Sequence, residues 1–291
     1  AASADEECTI TAEDENKVQD EGESYEKEQE TNGVQYAQIE RSADEYDYIV
    51  TDGKVTITKY HGAGGDVVVP DTIDGAQVVQ IGSSAFRNLS NINSVALPEG
   101  ITKIEEGAFA NCTQLSTVNL PSALTEIGAH AFYNCDLIET ITIPKSLEKT
   151  TDAYINEYAY GYVYGPFYEC DGLKEITFEE GSTVIANGLF ANCPGIEEIA
   201  IPDTVTTIGE SAFYQAENLA NVEFGENVTE IKGSAFAKCG KLTRVEMNDK
   251  VEKMESAVFA KCTELSKVKL SGALKEMGAH SFYDCDKLTE I

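Results

Sequence analysis

Positive charge is what this 291-residue chain has least of: 21 lysines and arginines stand against 51 aspartates and glutamates, a net charge of −30. A surface so acidic repels phosphate backbones and anionic headgroups, so neither nucleic acid nor a membrane surface is expected as a partner. Long apolar runs are missing as well. No stretch approaches the roughly 18–20 apolar residues of a membrane span, and membrane insertion is not expected. Histidines number only three, His61, His130 and His280, and the eight cysteines never form the close C-x-x-C pairs that zinc favours. Glycine-rich phosphate loops, H-E-x-x-H and EF-hand spacing are all absent. No enzyme activity, metal or cofactor is therefore expected.

What charge there is lies unevenly. Residues 1–45 hold 15 acids and 3 bases with few apolar side chains, too little to repay the entropy of ordering, and read as a flexible acidic leader. The chain opens "AASADEEC", with neither Met nor a basic and apolar targeting segment, so any export signal is expected to have been removed.

Beyond the leader, one spacing dominates. Phenylalanines fall at 86, 109, 132, 167, 190, 213, 236, 259 and 282, every interval 23 residues except the 35 between Phe132 and Phe167. Five residues before the ring stand Ile81, Ile104, Ile127, Ile185, Ile208, Ile231, Met254 and Met277, and six after it an Ile or Leu such as Leu115 or Ile196. Pairs such as Val118 and Leu120 alternate like a short strand, and Pro98, Pro121, Pro144 and Pro202 end it, having no N–H for a ladder. The Ala-Phe segments ("GAFANC", "SAFYQA") suit a helical or 3₁₀ turn. No single coil can bury its own apolar row, so the coils must stack into a continuous core.

The pattern I-x-x-x-A-F-x-x-C-x-x-L-x-x-V-x-L-P resembles the BspA-like, or Treponema pallidum type, leucine-rich repeat family, from about residue 66 to the end. The expected fold is a right-handed leucine-rich repeat solenoid of α/β-type repeats over 46–291. Nine 23-residue coils (66–291) follow an N-terminal β-hairpin cap (46–65), in which Asp52-Gly53 reads as a type I′ turn. The resemblance implies an exported or cell-surface protein of anaerobic, host-associated microbes, associated with adhesion to host matrix proteins or to other cells. It carries no common active site.

Seven cysteines (112, 135, 170, 193, 239, 262, 285) lie three residues after the repeat phenylalanine, where Leu89 and Ala216 stand in the other coils. A position open to Cys, Leu or Ala reads as a packing site, and buried free thiols are favoured over disulfides or metal. Cys8, in the leader, is the one expected to be exposed. His130 and His280 share a repeat position held elsewhere by Ser or Gly, which reads as a tolerant turn.

Two surfaces break the monotony. On the strand face, outward side chains form a regular array: Thr117 and Asn119, Thr140 and Thr142, Glu175 and Thr177, then Glu198, drifting towards bases at Lys267 and Lys269. The 12 extra residues between Phe132 and Phe167, an insertion at about 152–164, bring Tyr154, Tyr158, Tyr160, Tyr162 and Tyr164 into one excursion, and rigid amphipathic tyrosine suits binding. The reading is a non-enzymatic surface protein that recognises a host or microbial surface protein or glycan. Its rival is a structural spacer with no ligand of its own. The sequence stops nine residues after Phe282, within an expected strand, which implies either a cut from a longer protein or weak self-association at that edge.

Overall fold

Short β-branched alternations separated by proline build the first wall of the solenoid. In the computed structural model, Ile92–Ala96, Thr117–Val118, Thr140–Ile143, Glu175–Phe178, Glu198–Ala200, Asn221–Glu223, Arg244–Glu246 and Lys267–Lys269 follow one another as strands of this wall. They pair parallel and in repeat register two by two, Ile92–Ala96 with Thr117–Val118, Thr140–Ile143 with Glu175–Phe178, Glu198–Ala200 with Asn221–Glu223 and Arg244–Glu246 with Lys267–Lys269, and among the described residues no ladder joins one pair to the next. Val95, Val118, Ile141, Ile199, Val222, Val245 and Val268 point inward and are buried. Prolines turn the corner that follows: the carbonyls of Pro98, Pro121, Pro144 and Pro202 accept the N–H three residues on, at 3.0–3.1 Å.

The structure describes residues 45–151 and 164–291 in full and the backbone of 39–41, all within one compact unit, Ala37–Ile291. Most of the acidic leader with Cys8, and Tyr154, Tyr158, Tyr160 and Tyr162 of the insertion, lie outside the described residues.

A second wall runs through the Ile and Met row. Ala76–Ile81, Lys103–Ile104, Glu126–Gly128 and Lys149–Thr151 pair parallel in succession, as do Val184–Ile185, Thr207–Ile208, Glu230–Ile231, Lys253–Met254 and Glu276–Met277. No strand pairing joins Lys149–Thr151 to Val184–Ile185. Thr150 holds the inward register position opposite Ile127, and its hydroxyl donates to the Asn187 carbonyl at 2.5 Å. The 12 extra residues thus leave the coil between this strand and the turn that carries Phe167.

The third wall differs from expectation, for among the described residues there is no helix. The chain takes successive turns: Ala110 N–H bonds back to Gly107 at 2.9 Å and Cys112 to Phe109 at 3.2 Å. Continuation into a helix is blocked by left-handed residues, two in every coil except that of Phe167, which has Glu169 alone. Gly107, His130, Gly188, Ser211 and Ala257 have φ of 54–61° two positions before the ring, and Asn111, Asn134, Asn192 and Lys261 have 55–62° two positions after it. A left-handed residue reverses the helical hand and turns its N–H outward. Here those N–H groups bond the next coil: Gly107 to Ala129 at 3.0 Å, Phe109 to Ala131 at 2.7 Å, Asn111 to Tyr133 at 2.8 Å. Asparagine tolerates that φ, and its amides add a ladder of their own, Asn134 to Asn111 at 3.0 Å and Asn111 to Asn88 at 2.9 Å.

Inside the three walls the rings form one pile. From Phe86 to Phe282 successive centroids lie 4.8–5.8 Å apart with planes within 23°. This is offset stacking at the pitch of the parallel strands, about 4.8 Å. Tyr60 lies over Phe86 at 5.1 Å and starts the stack. It ends Lys54–Tyr60, which pairs antiparallel with Tyr46–Thr51 through a turn at Asp52 (φ 51°) and Gly53 (φ 72°), and parallel with Ala76–Ile81. The backbone of Ile39–Arg41, inside the span read as leader, adds a further antiparallel strand to Tyr46–Thr51.

The seven described cysteines are free, and six of them are fully buried. They do more than fill space. Each thiol donates to the carbonyl of the phenylalanine one coil back: Cys112 to Phe86 at 3.0 Å, Cys193 to Phe167 at 2.9 Å, Cys262 to Phe236 at 3.2 Å. Burial pushes the Cys112 thiol up to about 12 and the other buried thiols also well above their ordinary value.

Two predictions follow from this core. Phe213→Ala removes a fully buried ring from mid-stack and should cost about 3–5 kcal/mol of unfolding free energy in denaturant titration. Iodoacetamide at pH 8 should leave Cys112, Cys135, Cys170, Cys193, Cys239 and Cys262 unmodified in the native protein and alkylate them once unfolded, as read by mass spectrometry.

Candidate binding site

Whether a polar side chain is available to a partner depends on whether the fold has already used it. On the second wall it has. Lys103 Nζ lies 2.8 Å from Glu126, Lys149 Nζ 3.3 Å from the other oxygen of the same carboxylate, and Lys253 Nζ 2.7 Å from Glu230 and 3.0 Å from Glu255. These ammonium groups hold the Glu126 carboxyl below its ordinary value. The hydroxyls of Thr102, Thr125, Thr206 and Thr229 each donate to a carbonyl of the preceding coil at 3.1–3.3 Å.

The first wall is different. Thr117, Thr140, Thr142, Glu175, Thr177 and Glu198 are exposed, and no hydrogen bond or ion pair among the described residues engages their side chains. Thr140 stands beside Glu175 and Thr142 beside Thr177, because parallel pairing sets equivalent positions side by side. Asn119 is exposed too, but its amide is committed: Oδ1 accepts from Leu97 N–H at 2.7 Å and Nδ2 donates to the Leu97 carbonyl at 2.9 Å. Towards the far coils, Arg244 pairs with Glu246 and Lys267 with Glu290.

A second feature sits on the turn wall, where the chain re-enters the solenoid. Tyr164 packs against His130 with centroids 4.8 Å apart, and Tyr133 and Tyr168 stand nearly edge-on to the imidazole, each at 5.5 Å. Tyr164 also meets Tyr168 at 5.3 Å. Burial together with the nearby Glu169 carboxylate raises Tyr133 and pushes Tyr168 up to about 12. Gly165 makes the re-entry possible: a Cβ there would lie 2.0 Å from the Gly188 carbonyl. Beside the rings, Ser83, Ser84, Arg87, Glu106, His130 and Tyr133 line a groove of about 320 Å³. Burial lowers the proton affinity of His130, Glu106 opposes and Arg87 reinforces this, and the net effect leaves the ring neutral at pH 7.

Of the residues singled out in sequence, Tyr164 thus joins this cluster, while the threonines and glutamates lie on another wall. His130, Tyr133 and Tyr168 were missed. The signal was there, a tyrosine directly after the core ring in two consecutive coils ("HAFY", "PFYEC"), but it straddles the insertion that breaks the period. The same His–Tyr pair recurs at His280 and Tyr283, 5.8 Å apart. His61, by contrast, pairs with Asp47 at 2.8 Å. Among the described residues no group of three or more His, Cys, Asp or Glu could hold a metal ion.

The repeat geometry has a counterpart in a known family model. The BspA type leucine rich repeat region matches over residues 79–193, 154–252 and 183–291. This chain belongs to the BspA-type leucine-rich repeat family. Similar solved structures include the pneumococcal vaccine antigen PcpA, at 18% identity and a TM-score of 0.53, covering 88% of this chain and 81% of that one. The T. pallidum leucine-rich repeat protein TpLRR is 24% identical with a TM-score of 0.47, covering 86% and 91%. A leucine-rich repeat protein from Bacteroides capillosus is 30% identical with a TM-score of 0.39, covering 48% of this chain and 97% of its own. No curated protein matches. Among the described residues no helix is long and apolar enough to cross a membrane.

The His130 environment makes a pH prediction. Folding lowers its proton affinity, so the unfolded chain takes up the proton more readily, and stability falls as pH drops below the ordinary histidine value of 6.5. His130→Asn, which tolerates φ of 56°, should flatten that part of the pH–stability curve above the carboxylate range, measured by denaturant unfolding at stepped pH.

Proposed function

We propose that this chain is a non-enzymatic binding module of a bacterial surface or secreted protein, used in adhesion to a protein or glycan partner. The observation that carries the reading is the contrast between walls. Hydroxyls and charges on the second wall are consumed by coil-to-coil bonds, whereas Thr117, Thr140, Thr142, Glu175, Thr177 and Glu198 form an exposed array with no partner within the fold. Side chains fixed on the strands of stacked coils keep their spacing without a partner, so little ordering entropy is lost on binding. Membership of a repeat family of bacterial surface proteins supports the same reading.

The contact surface assigned to this function is the strand face together with the Tyr-rich segment of Tyr154, Tyr158, Tyr160, Tyr162 and Tyr164. Asn119 contributes to it by bracing the preceding coil at Leu97.

The test is attachment of the full chain to an array of host matrix proteins and glycans. Thr142→Lys and deletion of residues 152–163 should each weaken attachment by about tenfold or more while the thermal midpoint stays within a few degrees. Failure to attach to any member of the array points instead to a structural spacer.

A further inference from the structure

The turn-wall groove has a composition unlike the rest of the solenoid, and that composition selects a class of ligand. At about 320 Å³ it lies at the small end of the range of small-ligand sites, roughly 300–1,000 Å³. Its wall presents the half-buried rings of His130 and Tyr133, with Tyr168 and Tyr164 behind them. Arg87 and Glu106, both exposed and without an ion pair among the described residues, supply a fork of donors and a pair of acceptors. The hydroxyl of Ser84 adds a group able to do either.

We propose that this groove is a subsite for one or two hexopyranose units of a neutral glycan. A pyranose is amphipathic in the same way as the groove. Its C–H faces carry slight positive charge and rest on the negative face of an aromatic ring, while its vicinal hydroxyls both donate and accept. Arg87 offers two parallel N–H groups to adjacent hydroxyl oxygens, and Glu106 accepts from hydroxyls on the opposite side. A neutral imidazole at His130 has one donor and one acceptor, which suits a hydroxyl better than an anion.

Charge decides against acidic sugars. Arg87 is the lone cation lining the groove, Glu106 shares its wall and Glu169 stands behind the rings, on a chain of net charge −30. A carboxylated or sulfated glycan would meet repulsion in approach and at contact. The backbone decides against an extended peptide. The N–H groups of Ser84, Phe86, Asn88, Gly107, Phe109 and Asn111 are all engaged by the adjacent coil, so this wall has no edge to which a strand can be added.

This assignment rests on the reading of the chain as a binding module and names the ligand of one part of it. The experiment is calorimetric titration of the full chain with maltohexaose, cellohexaose, mannohexaose and chitohexaose, with heparin and sialyllactose as anionic probes. The expected result is saturable binding of at least one neutral hexamer. Arg87→Ala and Tyr133→Ala should each weaken it by about tenfold or more. Arg87 is exposed, so its variant keeps the test valid if Tyr133→Ala unfolds. Three outcomes overturn the proposal: no neutral hexamer binds, only heparin or sialyllactose binds, or affinity survives loss of Arg87. Should Thr142-dependent attachment to a matrix protein persist when no neutral hexamer binds, the glycan subsite falls and the binding module stands.

Discussion

The match between two lengths governs this molecule. Parallel strands bonded coil to coil advance by about 4.8 Å, and aromatic rings stack favourably at much the same pitch. A repeat of 23 residues returns the chain to the same corner after one circuit, so every ring from Phe86 to Phe282 lands on its predecessor. The remaining apolar rows, Ile104 over Ile81 and Leu115 over Ile92, are carried into contact by the same step.

The third wall explains the cysteine, the most conspicuous residue of the repeat. A helix there would have used its N–H groups internally and left adjoining coils joined only by side chains. Alternating turns broken by left-handed residues direct N–H groups at the next coil instead. The phenylalanine carbonyl then points inward, where it accepts from its own coil, as Phe109 does from Cys112 N–H at 3.2 Å, and has a second lone pair left over. The thiol of the next coil is small enough to sit there and polar enough to donate weakly. Ala216 occupies the same place without a donor. Volume therefore sets what the position admits, and the hydrogen bond favours sulfur.

Periodicity made the coil legible because one physical demand recurs nine times. The buried Ile, Phe, Cys and Leu rows, the strands ahead of the prolines and the turn at Asp52-Gly53 all follow from local patterns that a reader can count. The turn wall did not, because its conformation is imposed by neighbouring coils: "GAFANC" by itself is compatible with a helix, and only the coil-to-coil hydrogen bonds select left-handed Gly107 and Asn111. The aromatic cluster was hidden for another reason. Its members come from either side of an insertion, His130 and Tyr133 before it, Tyr164 and Tyr168 after it, and linear spacing is no guide across that break. Asn119 shows the opposite limit. Its position on the outer face was plain from alternation, while its engagement with Leu97 was not.

The break in the second wall also has a mechanical meaning. At the joint between Lys149–Thr151 and Val184–Ile185, the first wall is pinned by four facing pairs and the turn wall by bonds such as Phe132 to Pro166 at 2.8 Å, but the remaining side has no ladder. Two seams hold and the third keeps only the Thr150 hydroxyl's bond to Asn187, so that joint bends about the closed seams more readily than one laddered on every side. Tension along the stack would open that side of the joint, close to Tyr164 and Tyr168 where the chain re-enters the coil.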